Sequence, residues 1–328
     1  MTWIRDPRRE GGGDHTRIHP LVSVVIATRN YGEYLVEAVE SVRAQSYPHW
    51  ELWIIDDGST DDTRKVVQRW QEDRRIHYVF AERLGQARAK NLGIRLSRGE
   101  WVAFLDADDR WEEDKLRQQL ALAAEHPEAG VIYCRRRWMD AQGHELMVPQ
   151  REQGLPSGWI LNHLVVQNCV CFSSAMVRRE VFSHVGMFDE HLELAIDYDL
   201  WLRVGMHYPF FAVSKPLVWY RTGHANLSQR VVERGRIALA ILRRAVEQYG
   251  LRQKVSEQAL REAAASTCRT LAYVLRKNSP LQAARWYGRA WQYGGHWWLT
   301  CRGLLACLYQ GLEHGFQKAF HSLTSMRQ

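Results

Sequence analysis

Trp101-Val102-Ala103-Phe104-Leu105-Asp106-Ala107-Asp108-Asp109 decides the fold. Five apolar residues in a row have the length of a strand buried on both faces, and the run turns acidic where such a strand would end. Upstream, Leu21 to Ala27 has the same character and leads into Thr28-Arg29-Asn30. A helical spacing of Leu35, Ala38, Val39 and Val42 follows, between Tyr34 and Gln45. A second strand, Trp50 to Ile55, ends in Asp56-Asp57-Gly58-Ser59. Next come a helix over about Asp62 to Glu72, a strand from Ile76 to Phe80 and a helix from Gln86 to Leu96. Strand and helix alternating over short connections predict an α/β fold: a doubly wound, mostly parallel sheet flanked by helices. Ligands of such sheets bind beyond the carboxyl ends of the strands, where all three polar clusters fall.

Downstream, Glu112 to Glu125 reads as a helix and Gly130 to Cys134 as a strand. Trp138 to Gln167 is irregular, punctuated by Gly143, Gly154, Pro156 and Gly158. Cys169 to Val177 reads as a strand, and Phe188 to Gly205 contains a helix with Asp197 and Asp199 on its N-terminal side. Beyond Asn226 the pattern is helical; Ser279-Pro280 supplies a start and Gly294-Gly295 a stop. The expected organisation is a disordered basic lead-in over 1–20, an α/β domain over 21–228 and a C-terminal region of four helices over 229–328.

Charge divides along the same line. The chain carries +7, yet Val231 to Gln328 holds fifteen Lys and Arg against five Asp and Glu, a balance of +10. A basic helical segment faces water, an anionic membrane surface or nucleic acid. Its apolar part, His296-Trp297-Trp298-Leu299 through Leu304-Leu305, Leu308 and Phe316 with Arg302 and Lys318, suits helix packing or an interfacial helix. Six scattered cysteines, without a CxxC pair or zinc spacing, read as buried free thiols of a reducing compartment. No stretch reaches the length of a membrane-spanning helix, and Met1 to Pro20 lacks the apolar centre of a signal peptide.

Two carboxylates at i and i+2, leaving a strand end together, suit a hard divalent cation such as Mg²⁺ or Mn²⁺ that bridges to diphosphate oxygens. Taken alone, Asp108 or Asp109 serves equally as a cap for the following helix. Asp56-Asp57-Gly58-Ser59 allows a carboxylate to accept the imide N–H of a pyrimidine base, or a turn in which Asp bonds its own backbone.

Together these elements resemble family-2 inverting glycosyltransferases of the GT-A fold, the non-processive bacterial type. The resemblance rests on Val22-Ser23-Val24-Val25-Ile26-Ala27-Thr28-Arg29-Asn30-Tyr31, on Ala44 to Leu52 and on Asp56-Asp57-Gly58-Ser59-Thr60-Asp61-Asp62-Thr63. It continues through Gly85 to Gly93, Phe188-Asp189-Glu190, Asp197 to Arg203, Trp219-Tyr220-Arg221 to His224, and Asn226-Leu227-Ser228. It implies that Ala27, Thr28 and Arg29 line the nucleotide, that Asp57 reads the base, and that Gly85, Arg88 and Lys90 face the phosphates. Asp106 then contacts ribose or metal, Asp108 is the principal ligand of Mn²⁺ or Mg²⁺, and His224 is a third ligand. Asp197 is the implied general base, with Asp199 competing for the role. The implied partners are a nucleotide-diphosphate sugar donor and a glycan or lipid-linked acceptor. The implied setting is cytoplasmic, with peripheral association at the inner membrane face and no nucleic acid. A hexosyl or related transfer in cell-surface polysaccharide or glycolipid assembly is the implied process.

The sequence departs from that pattern at Ala27 to Asn30, where proline and tyrosine are commoner, and at Ile196, where glutamate usually precedes the base. No Gln-x-x-Arg-Trp motif follows, which argues against a processive synthase. A non-catalytic nucleotide-sugar-binding protein of the same fold is the alternative. A dinucleotide oxidoreductase lacks its G-x-G-x-x-G turn here, and a nucleotidyltransferase its Gly-rich basic loop.

Overall fold

The computed structural model describes residues 19–148, 154–224, 229–294 and 298–307. Most of the lead-in, Asn226-Leu227-Ser228, His296, Trp297, Leu308, Phe316 and Lys318 lie outside the described residues. Chain contacts form two compact units: Met1–Ile160 with Asn168–Ala225, and Leu161–Gln167 with Asn226–Gln328.

The first unit opens with β1 (Val22–Thr28), α1 (Gly32–Arg43), β2 (Trp50–Asp57), α2 (Thr63–Val66), β3 (Ile76–Ala81), α3 (Gln86–Leu96) and β4 (Trp101–Phe104). These strands lie side by side in parallel, in the order β3-β2-β1-β4. Alternate residues explain why β1 is apolar throughout. Val22, Val24 and Ile26 join one core with Leu35, Ala38, Val39 and Val42 of α1. On the other side, Ala27 packs against a cluster of Trp53, Ile55, Val79 and Ala89. Gly93 of α3 sits so close to β1 that a Cβ there would come within 2.5 Å of Val25 Cγ1.

The chain continues through β5 (Arg110–Trp111), α4 (Lys115–Glu125), β6 (Val131–Met139), β7 (Glu145–Leu146), α5 (Leu161–Val166), β8 (Met176–Arg178), α6 (Arg179–Val185), α7 (Ile196–Gly205) and β9 (Phe210–Arg221). The sheet extends from β4 through β8, β6 and β9 to β5, with β7 paired to β6. β8 runs antiparallel to β4, so the sheet is mixed beyond its parallel half.

Three local expectations change. The helix over Asp62 to Glu72 is one α-turn followed by a 3-10 turn, Val67–Trp70. Three residues per turn put Val67 and Trp70 on one buried side, and the Trp70 indole donates to Glu40 Oε1 at 2.6 Å. The strand over Cys169 to Val177 shrinks to β8, because a 3-10 turn at Phe172–Ser174 precedes it and Ser174 Oγ donates to the Cys171 carbonyl. The strand from Gly130 runs on to Met139 because β9 pairs with it, shifting register around Arg135.

The second unit contains α5, α8 (Val231–Gln248), α9 (Glu257–Leu275), α10 (Pro280–Gln292) and a helical stretch over 298–307. Ser256 caps α9, its Oγ accepting the Ala259 N–H at 3.1 Å. α10 begins with proline at its first turn, where the missing N–H costs nothing. Ala272, Ala283, Tyr287 and Cys307 form its core. α5 packs on α9, where Asn162 Oδ1 accepts the Ser256 N–H at 3.0 Å. The six cysteines are free, and burial raises the Cys134 thiol to about 12.

Candidate active site at the strand ends

The register of the parallel half sets the site. Thr28 lies level with Asp56, and Val25 with Phe104, so the ends of β1, β2 and β4 share one edge. The loop after β2 is tied to the loop after β1. Asn30 Oδ1 accepts the Thr60 N–H at 2.8 Å, and Asp61 Oδ2 accepts the Gly32 N–H at 3.1 Å. Asp56 is fully buried, accepting Ser59 N–H and the Tyr78 hydroxyl. Asp57 accepts the N–H groups of Leu84 and Gly85, so its carboxylate holds the loop that opens α3. Gly85 has φ of +85°, which favours glycine there.

The acidic motif after β4 splits into working and supporting carboxylates. Asp106 Oδ1 lies 3.1 Å from Lys90 Nζ, and that ammonium also lies 3.8 Å over the Phe172 ring. Burial raises the Asp106 carboxyl; Lys90 opposes the rise, while the negative charges of Asp108 and Asp197 add to it. Asp108 Oδ2 lies 2.8 Å from His224 Nε2, and the imidazole packs against the rings of Tyr31 and Tyr34, which also touch each other. Tyr31 feels both carboxylates: burial first, then Asp108 and Asp106, push its phenol to about 12. Asp109 is buried, and burial lifts its carboxyl well above the usual range. It accepts the Ser173 hydroxyl and, at 2.9 Å, the Arg221 N–H. Arg221, itself buried, donates Nε to the Asp108 carbonyl at 2.8 Å and Nη2 to Glu37 at 2.8 Å. The end of β9 thereby clamps the motif's backbone three residues before His224.

Asp197 lies in the first turn of α7, and its Oδ2 accepts an N–H from Asn168 Nδ2 at 2.7 Å. Asp199 is buried and ion-paired with Arg203 at 2.8 Å, and Arg203 reaches the carbonyls of Val185 and Met187. Asp199 therefore braces α7. Ala27 is half-buried, Thr28 buried and Arg29 exposed beside them. Arg88 points to Glu190, 3.3 Å away. Sequence reasoning missed Asn168, Ser173 and the Asp109–Arg221 clamp; their partners lie 29 to 112 residues away, beyond any local spacing.

Among the described residues, no group of three or more His, Cys, Asp or Glu side chains is arranged to hold a metal. The Asp108–His224 pair is nonetheless suited to one. Neighbouring ligands of an octahedral ion at about 2.1 Å stand about 3 Å apart, and such ions take the rest of their shell from phosphate and water. Asp106 is committed to Lys90 in this arrangement.

The sequence pattern of glycosyl transferase family 2 matches residues 23–186. Over 112 residues the chain is 46% identical to the putative teichuronic acid biosynthesis glycosyltransferase TuaG of Bacillus subtilis (strain 168), covering 34% of this chain and 44% of that one. Over 202 residues it is 30% identical to the uncharacterized glycosyltransferase RP339 of Rickettsia prowazekii (strain Madrid E), covering 60% of each. The chain spans about half the length of the curated relatives it matches. Among solved structures, S. aureus TarS 1–349 aligns over 91% of both chains with TM-score 0.59 and 16% identity. The mannosyltransferase PcManGT from Pyrobaculum calidifontis, in complex with GDP-Man and Mn²⁺, aligns over 89% of this chain and 87% of that one, with TM-score 0.57 and 22% identity. At such identities the likeness is one of fold, the GT-A type that the motifs imply.

Proposed function

The chain belongs to glycosyl transferase family 2, and from that premise we propose that it moves a sugar from a nucleotide-diphosphate donor to an acceptor hydroxyl with inversion. The observation that supports this reading is the Asp108–His224 contact beside Asp106 at the end of β4, with Asp197 of α7 close enough for its charge to bear on Asp106. Asp197 takes the proton of the acceptor hydroxyl. The freed oxygen bonds to the anomeric carbon while the carbon–oxygen bond to the diphosphate breaks, and its electron pair leaves with the nucleotide. One base and one in-line displacement invert the centre.

Asp108 and His224 are the residues that would hold Mn²⁺ or Mg²⁺. A bound cation offsets charge developing on the departing diphosphate. Lys90, buried beside Asp106, is a second positive charge toward the phosphates. The loop braced by Asp57 and Gly85 borders the nucleotide. TuaG's name and the TarS and PcManGT complexes with UDP-GlcNAc and GDP-Man support a nucleotide-sugar donor and an acceptor glycan or lipid-linked glycan of the cell surface. No described helix is long and apolar enough to cross a membrane. A cytoplasmic enzyme held peripherally at the inner membrane face fits that fact together with exposed Trp291 and Trp298.

The test is a screen of nucleotide-sugars for thermal stabilisation with Mn²⁺, followed by product release from whichever donor stabilises. Stabilisation is expected, together with turnover that Asp197→Asn removes while leaving the stabilisation in place. Binding by a wild type that never turns over the donor would instead favour the non-catalytic nucleotide-sugar-binding reading, which the buried Ile196 beside the base motivates. Stabilisation by none of the donors overturns both.

A further inference from the structure

Asn168 carries two observations that the roles above leave unused. Its Nδ2 donates to Asp197 Oδ2 at 2.7 Å, and its Oδ1 is buried with no hydrogen-bond partner among the described residues. An ionised carboxylate only accepts, so the amide is fixed with nitrogen toward Asp197 and oxygen away from it. A buried carbonyl oxygen left unpaired costs free energy, and native proteins keep few of them.

The partner chosen for the base is chemically apt. A cation in the place of Asn168 would hold Asp197 by charge and weaken it as a proton acceptor. A neutral amide orients the carboxylate with a smaller loss of basicity. It also leaves an unpaired acceptor atom one amide's width from the base. The two ends of one amide are so close that the groups they serve must be neighbours.

We infer that Asn168 is the acceptor-side residue of this site: Nδ2 orients Asp197, and Oδ1 receives a hydrogen bond from the hydroxyl adjacent to the one that attacks. The ligand class is therefore a vicinal polyol, such as a sugar ring bearing neighbouring hydroxyls. This rests on the reading of Asp197 as the base.

The experiment uses the full chain with Mn²⁺ and the donor that stabilises it in the screen above. Glycerol, a vicinal polyol, competes with 1-propanol as acceptor probe, and nucleoside diphosphate release gives kcat and donor KM. The wild type is expected to favour glycerol. Asn168→Ala is expected to lose that preference and to lower kcat roughly tenfold to a hundredfold, the worth of a hydrogen bond to a charged group. Donor KM and the Kd for the nucleotide with Mn²⁺ are expected to stay within about twofold. Asn168→Asp keeps an oxygen acceptor but loses the donor to Asp197, so it should retain the preference while losing kcat. If the alanine variant does not fold, Asn168→Ser takes its place.

Unchanged kcat and preference in a folded variant overturn the inference. So does a fall in kcat matched by an equal loss of donor affinity, which marks a packing role. Turnover that survives Asp197→Asn overturns the transferase mechanism beneath it instead.

Discussion

At the residue scale, the acidic motif assigns different work to three adjoining carboxylates. Asp108 faces His224, Asp106 faces Lys90, and Asp109 is spent inside the protein on Ser173 and Arg221. Asp108→Ala should cut turnover roughly a hundredfold or more while leaving the fold intact, because only the carbonyl of Asp108 serves the Arg221 clamp. Activity retained in that variant, measured with Mn²⁺ present, would sink the assignment. A second titration belongs to Lys115, buried in α4 with Nζ 2.7 Å from Gln119 Oε1 and 3.8 Å over the Trp111 ring. Burial lowers its ammonium to about 8. The unfolded chain then binds more protons between about pH 8 and the ordinary lysine value, so stability rises with pH across that window and is lost as pH falls through about 8. The shift corresponds to ~3 kcal/mol. Denaturation midpoints of the wild type should climb relative to Lys115→Met from pH 8 to 10; parallel curves would refute the burial argument. The strand-end carboxylates were legible because acidic residues interrupt an apolar run. Asn168 was not, since an asparagine in an irregular stretch has no pattern to depart from.

At the element scale, the parallel half of the sheet was readable from periodicity and the rest only in part, since β6 and β8 were found with other bounds and β9 was not found. β1, β2 and β4 are short apolar runs with polar ends, and α3 spans the residues its spacing predicts. β9 escaped because Ser214-Lys215-Pro216 breaks its alternation where it slips register against β6. That strand nonetheless delivers Arg221 to the motif, so half of the clamp depended on the least legible element. α3 packs closely against β1. Gly93→Ala should destabilise by about 1–3 kcal/mol, since Val25 belongs to the central strand and has little room to yield. Urea midpoints would measure it, and an unchanged midpoint would show that the helix shifts freely.

At the scale of the whole molecule, charge and apolar exposure coincide in the helical unit. Between Ala263 and Leu312 there is no Asp or Glu, and there are six Lys and Arg. Trp291, Tyr293, Trp298 and Leu305 are exposed in the same span. Aromatic side chains with an apolar body and a polar edge favour a headgroup region, and basic neighbours favour anionic lipid. The protein should therefore co-sediment with phosphatidylglycerol vesicles and far less with phosphatidylcholine, and Trp291→Ala with Trp298→Ala should weaken binding several-fold. Equal binding to both vesicle types, or to neither, would remove the interfacial role.

The helical unit is also not a simple tail. α5, whose Leu161, Leu164 and Val165 are buried, packs on α9, while the chain on either side of it belongs to the first unit. Stopping the chain at Ala225 would strip α9 from α5, whose Leu161, Leu164 and Val165 are buried. The same holds for inheritance. A recombination event that exchanged everything beyond Ala225 would bring in a partner never fitted to α5. The two stretches are therefore expected to vary together among relatives.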